Sequence, residues 1–365
     1  MVDGSQISLR ALNRTLLDRQ FLLERVSRST LGVVARLVAL QAQEPNWPYI
    51  GLWARVVDFR PDDLMSLLSS GQVVRGAGLR STQHLVAGED FRWLRPTIQP
   101  VLDRNARSPY VTRETIGLDL DEITAVGIEL LGDDTLSRRE LRKRFVEKWP
   151  GRNGQVMVAA LERRVPLVHS PATGAWGRWG SPAGVAVVRA EFVVGEMSES
   201  QPEALIRRYL AAFGPAAVSD FQSWSGLTRM GEVFEIMRPG LGVYRTEVGE
   251  LFDLPDAALA DVDVPAPVRF LPAFDNVLLG HATRTRIVSD DDRKVVMPGG
   301  AQVVPTFLVD GFVGGTWSLQ GSELLVKNFR PLSRAIRSEV VSEAEQLLEF
   351  VIPGDPARKI SFAPV

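Results

Sequence analysis

The chain has 365 residues, 45% of them hydrophobic and 24% charged, a composition that buries ordinary cores in about two or three domains. Lys plus Arg is 42 and Asp plus Glu is 44, for a net charge of −2, so a uniformly basic nucleic-acid binder is excluded while a locally basic face is not. There is no cysteine and there are three histidines, His84, His169 and His281, which excludes disulfides, thiol nucleophiles, Fe–S clusters and cysteine-based zinc sites.

In chain order, the first twenty residues carry charge throughout and lack the apolar core of a signal peptide. Leu31–Leu40 is interrupted by Arg36 and falls short of the roughly 20 apolar residues that span a bilayer. A cytoplasmic protein without a membrane partner is expected. Leu9–Val26 has helical apolar spacing. Ser29 or Thr30 caps a second helix running to about Leu40. Trp47–Val57 and Pro61–Leu68 read as helices, with Gly71 as a stop. The period then shortens. Val73–Leu79 and Thr82–Val86 predict a hairpin turning at Arg80 and Ser81.

The order then recurs. Asp121–Leu131 is a helix. Ser137-Arg-Arg-Glu140 is a capping box opening Arg138–Trp149. Asn153–Arg164 is a third helix, and Pro166–His169 with Ala175–Trp179 reads as a hairpin. In a third round, Ser200-Gln-Pro-Glu203 caps a helix to Phe213. Ser219–Trp224 and Thr228–Met237 follow as helices, and Leu241–Thr246 with Leu251–Leu254 as strands. Helices followed by a hairpin, three times over, is the winged-helix order. Glu247–Asp263 carries six acids and no base and reads as a solvated linker. Val268–Leu279, Val303–Val309, Phe312–Leu319 and Glu323–Phe329 alternate like strands, with turns at Asp310-Gly311 and Gln320-Gly321. Glu339–Phe350 is an acidic amphipathic helix, and Lys359–Phe362 is a closing strand. The expected fold is α+β: three winged-helix modules (1–115, 116–195, 196–265), then an antiparallel β module (266–365).

Basic charge is local. Arg138, Arg139, Arg142, Lys143, Arg144, Lys148 and Arg152 face only Glu140 and Glu147 between Thr135 and Arg152. At helical spacing Arg138, Arg139, Arg142 and Lys143 make one broad face. Arg75 and Arg80 flank the first hairpin turn, and Arg284 and Arg286 share a side of any extended segment. His84 lies in an apolar run, where a lone histidine more often serves structure. Gln41-Ala-Gln43 follows a helix end, and Pro45 disfavours helix at Glu44. An extended Gln41–Gln43 projects both amides from one face and Glu44 from the other. Two such amides hold a water or hydroxyl through donor and acceptor atoms; they also serve to satisfy backbone groups at a helix end.

The segments ALQAQEPNWPYIGLWARV, VVRGAGLRSTQHLVAGEDF, LPAFDNVLLGHATRTRIV and DGFVGGTW resemble the winged-helix DNA glycosylase family, whose AlkZ-like branch carries Gln-x-Gln where the YcaQ-like branch carries Gln-x-Asp. The likeness covers nearly the whole chain. It implies a concave DNA-binding surface with Gln41 and Gln43 as catalytic residues. It also implies a hairpin at Phe274–Ile287 reaching into DNA, presenting His281, Arg284 and Arg286. With Arg75, Arg80, His84, Arg138, Arg139 and Arg142 these complete the candidate DNA-binding set. The implied enzyme is a monofunctional, monomeric glycosylase without cofactor or metal. It acts on duplex DNA carrying bulky N7-alkylated purines or interstrand crosslinks, in repair or in self-resistance to an alkylating natural product such as azinomycin B. The competing reading is a winged-helix regulator that binds DNA without catalysis.

Overall fold

The computed structural model describes residues 7–177, 184–246 and 249–364. The fold is α+β. Thirteen strands are described: β1 (Leu40–Gln41), β2 (Val73–Ala77), β3 (Gln83–Ala87), β4 (Leu136–Ser137), β5 (Leu167–His169), β6 (Ala186–Arg189), β7 (Gly242–Thr246), β8 (Gly249–Asp253), β9 (Arg269–Leu271), β10 (Thr306–Val309), β11 (Phe312–Gln320), β12 (Glu323–Asn328) and β13 (Lys359–Pro364). They form a six-stranded sheet ordered β1-β3-β2-β5-β6-β4, a five-stranded sheet ordered β13-β12-β11-β10-β9 and the ribbon β7-β8. Every pair is antiparallel except β12–β13.

Helices precede each of the first three hairpins. Thr30–Leu37 and Pro61–Ser69 come before β2–β3. Leu120–Leu131, Arg138–Lys148 and Gly154–Arg164 come before β5–β6. Pro202–Phe213, Val218–Ser225 and Gly231–Met237 come before β7–β8. The first two hairpins are not separate wings, because β2 and β5 pair through Gly76 and Val168 and fuse them into one sheet. The middle helices close their own core around Ile123, Leu141, Phe145, Leu161 and Val187. The first hairpin's helices, the Pro202–Met237 helices and the C-terminal sheet share one larger core.

Several expectations change. The first helix ends at Arg19 rather than Val26, where Phe21 takes φ 56°. The second ends at Leu37, where Val38 takes φ 69°; both residues leave the conformation that a helix needs. Ser137 accepts from the Glu140 amide at 3.0 Å as expected, but the Glu140 side chain accepts from Arg144 rather than closing a capping box. Ser200 does not cap, because the N-cap is Gln201 without a side-chain bond. The partner of β5 is β6, not Ala175–Trp179. Residues 175–177 are irregular, and Arg178 and Trp179 lie outside the described residues.

The acidic stretch is a solvated linker only in part: Asp256, Asp261 and Asp263 are exposed, whereas Leu251–Asp253 is buried in β8, and Glu247 lies outside the described residues. Asp253 takes a buried bidentate pair from Arg19 at 2.7 and 2.9 Å. Arg10 and Arg14 donate to the carbonyls of Val262 and Val264. The C-terminal module follows the alternation from Thr306 onward, and its long helix runs Arg334–Val351. Val268–Leu279 departs from it: β9 is short, and Asn276–Leu279 is a helical turn capped by Asp275.

Candidate active site

The Gln41–Gln43 segment begins at a strained corner. Val38, a β-branched residue, sits at φ 69° and ψ −56°, a placement that costs on the order of 1–3 kcal/mol and persists only where its surroundings impose it. Asn276 imposes it from the C-terminal module, donating to the carbonyls of Leu37 at 3.4 Å and Ala39 at 3.1 Å. The chain leaves this corner extended. Leu40 pairs with Leu85 and Gln41 with His84, and the Ala42 amide donates to the Gln83 carbonyl at 2.7 Å.

Each glutamine has its own support. Arg80 Nη2 donates to Gln41 Oε1 at 2.8 Å. The Gln83 amide reaches Gln43 Oε1 at 3.4 Å. Arg75 stiffens the backbone behind them. Its Nε donates to the Ala42 carbonyl at 2.9 Å and its Nη2 lies 3.4 Å from the Gln43 carbonyl. Glu44 Oε1 accepts from Asn46 Nδ2 at 2.9 Å.

Gln43 lines a cleft of about 550 Å³ between the first hairpin and the middle helices. Ala77, Ser81 and Gln83 form one wall. Arg138, Arg139, Arg142, Glu162 and Arg163 contribute to the other, with Val158 and Ala159 as an apolar patch. Gln41 is not among the lining residues; its amide oxygen is engaged by Arg80. Arg138 is paired with Glu162 at 2.5 and 2.6 Å. Arg139 and Arg142 are exposed and have no ion pair among the described residues. The cleft therefore combines the amides of Gln43, Gln83 and Gln155, the guanidiniums of Arg139, Arg142 and Arg163 without ion pairs among the described residues, and a small apolar surface. That combination suits an anionic, partly apolar ligand.

The remaining candidates are placed differently from the expectation of direct DNA contact. Arg75 is 4% exposed, and burial together with nearby Arg138 pulls its pKa down to about 10. His84 is buried with its Nδ1 3.1 Å from the Thr82 carbonyl. Desolvation and nearby Arg80 push its pKa down to about 3, so the ring is neutral. Its Nδ1 sits where a Cβ on Gly78 would lie 2.8 Å away, so His84 fills space beside a residue that has to be glycine.

Phe274–Ile287 is not an extended arm. His281 is buried with Nε2 3.0 Å from the Phe213 carbonyl. Arg286 is buried and donates to the Pro215 carbonyl at 2.9 Å. Arg284 is half-buried and bonds the Leu278 and Ala282 carbonyls at 2.9 and 3.1 Å. The two arginines do not share an exposed face, because the chain between them belongs to a packed loop. Neither His84, His281, Arg75 nor Arg286 reaches a phosphate from these positions.

Reading the sequence missed Gln83, Glu162, Arg163 and His169. The first three line the cleft, and His169 backs Arg75 at 2.7 Å. The helical spacing of Val158, Ala159, Glu162 and Arg163 was the available signal, since it places them on one side of the Gly154–Arg164 helix.

A family model described as DNA glycosylase AlkZ-like matches residues 34–350. The interstrand DNA cross-link repair glycosylase of Streptomyces sahachiroi is 27% identical over 357 residues, covering 90% of this chain and 92% of that protein. The solved structure of the Streptomyces sahachiroi DNA glycosylase AlkZ superposes with a TM-score of 0.80 at 23% identity, covering 98% of this chain and 100% of that one.

Proposed function

The chain belongs to the AlkZ-like DNA glycosylase family, and from that premise we propose that it releases bulky N7-alkylated purines, including crosslinked ones, at the Gln41–Gln43 turn. As a DNA glycosylase it hydrolyses N-glycosidic bonds in DNA. What its substrates carry follows from the chemistry available. Alkylation at N7 places positive charge on the purine, so the base departs without a general acid. The sugar develops oxocarbenium character, as in glycoside hydrolysis. Ordinary glycosidases answer this with two carboxylates; with an activated leaving group two amides suffice, by positioning water and stabilising charge.

The observation that carries the reading is the cleft itself, where Gln43 lies with Arg138, Arg139 and Arg142. A phosphate beside the lesion meets Arg139 and Arg142, and the reacting sugar meets the amides. On this reading Arg75 and Arg80 are supports rather than phosphate ligands. Three helix-and-hairpin modules and a β module make the concave surface, and the protein works as a monomer in the cytoplasm. Among the described residues no helix is long and apolar enough to cross a membrane.

The test is base release. Duplexes carrying N7-methylguanine, or treated with a panel of alkylating natural products and nitrogen mustards, are incubated with the protein, and free base is measured by mass spectrometry. Release of N7-adducts supports the proposal. Release of none, alongside tight binding to the same duplexes, favours the non-catalytic regulator.

A further inference from the structure

Arg80 stands at the tip of the first hairpin, and its surroundings over-determine it. Its backbone is left-handed at φ 53° and Ser81 follows at φ 63°, the sequence of two positive φ values that a tight hairpin turn requires. Neither residue is glycine, so each carries a steric cost that the neighbours have to offset. They do so from two sides. Arg80 Nη1 donates to the Trp224 carbonyl, in the last turn of the Val218–Ser225 helix, where unsatisfied carbonyls favour a cation. Arg163 Nε meets Ser81 Oγ at 3.2 Å. Gly226, at φ +82°, lets the helix end approach so closely that a Cβ there would lie 3.2 Å from Arg80 Cα.

The other branch of the guanidinium goes to Gln41 Oε1 at 2.8 Å. An arginine side chain has donors only. The Gln41 amide can therefore face it only through oxygen, which removes the ambiguity between the two amide ends. Gln41 Nε2 has no hydrogen-bond partner among the described residues. The side chain is thus set in one orientation, with its donor end left over.

We propose that Arg80 is a positioning residue for base excision, fixing the Gln41 amide oxygen inward so that Nε2 is the end offered to the DNA. This rests on the reading of Gln41 as catalytic. The third helical group acts here through a single carbonyl: Trp224 anchors Arg80, and Arg80 orients Gln41. Loss of such a residue lowers the rate although it never meets the DNA.

The experiment is single-turnover excision from nitrogen-mustard-treated duplex, with the salt dependence of binding measured in parallel. Arg80→Ala and Arg80→Lys are made in the wild-type and Gln41→Ala backgrounds. Arg80→Ala is expected to slow excision about ten-fold or more, the scale of one lost charge-assisted hydrogen bond, with an unchanged salt slope. In the Gln41→Ala background the same substitution should change the rate less than about two-fold, because residues acting through one group are not additive. Arg80→Lys keeps the charge and the turn but loses the fork, and covers the case in which the alanine variant unfolds. It is expected to be slow in wild type and neutral beside Gln41→Ala. A full loss on top of Gln41→Ala, or a salt slope lower by roughly 0.9, the value of one phosphate contact, would overturn the assignment while leaving Gln41 catalytic. A wild-type rate for Gln41→Ala alone would instead remove the reading of Gln41, and this proposal with it.

Discussion

Nη1 of Arg75 lies 2.7 Å from Nδ1 of His169. Arginine only donates, so Nδ1 accepts and the proton sits on Nε2. That proton faces Arg138 Nη2 at 3.4 Å, donor against donor, so the ring fixes Arg75 and not Arg138. Arg138 is fixed by Glu162. Through this pair the strand carrying His169 supports the carbonyls of Ala42 and Gln43, so the cleft's two walls hold each other in place.

Gln41→Ala and Gln43→Ala are each expected to lower single-turnover excision by at least about 10²-fold, the scale of removing a donor that stabilises a transition state. DNA affinity should change little. Wild-type rates for both would take the turn out of the mechanism. Glu44→Gln should do less harm, since its carboxylate is engaged by Asn46.

Binding should depend on salt through the exposed cations alone. Arg139→Ala and Arg142→Ala are each expected to lower the salt slope by roughly 0.9 with unchanged melting temperature. Arg286→Ala should do the reverse. It leaves the buried Pro215 carbonyl without its donor, at about 1–3 kcal/mol of stability, and leaves the slope alone. Titrations at several salt concentrations, beside chemical denaturation, separate the two classes.

Acid should destabilise the fold through its histidines. His84 is pushed down to about 3 and His169 and His281 well below the ordinary 6.5, chiefly by burial. Their folded values lie below their unfolded values, so the unfolded chain binds more protons between them. Stability is therefore intact above about pH 6.5 and falls as pH drops below it, by up to about 1.4 kcal/mol per pH unit for each ring. Unfolding free energies measured at pH 7.5, 6 and 5 should decline progressively. A flat series would mean that the rings are not buried neutral.

Excision should proceed equally well with EDTA present. The chain has no cysteine, and no cluster of three or more His, Asp or Glu side chains suited to a metal occurs among the described residues. Loss of activity on chelation, restored by a divalent metal, would contradict this.

The helices and hairpins were legible wherever local pattern and environment agree. Ser137 capped its helix and the strands from Thr306 onward followed their alternation because each depends on near neighbours. The errors share one cause. The resemblance implied an arm at Phe274–Ile287, yet Phe213 and Pro215, over 60 residues away, hold His281 and Arg286 in a packed loop. Asp253 in the acidic stretch looked solvated because its partner, Arg19, lies 234 residues away near the N-terminus. Arg80 read as a phosphate ligand because nothing near it in sequence announces the Trp224 carbonyl. The Gln-x-Gln turn was visible as a pattern, but its strain at Val38 was not, since its enforcing residue is Asn276.

One side chain in the first helix sets a timetable for the newborn chain. Asn13 Nδ2 is shared between the carbonyls of Arg286 at 2.7 Å and Gly311 at 2.8 Å. The second of these partners lies 298 residues downstream. At about 5–20 residues per second, a ribosome takes roughly 15–60 s to deliver it. During that interval the Asn13 amide waits for its last partner, although the Pro202–Phe213 helix that carries the carbonyls of Leu210 and Ala212 for Arg19 and Gln20 is made earlier. The middle helices, whose core is drawn from residues 118–187 alone, are complete well before. The residues of the second wall thus leave the ribosome before Asn276, the residue that shapes the glutamine turn from the C-terminal module.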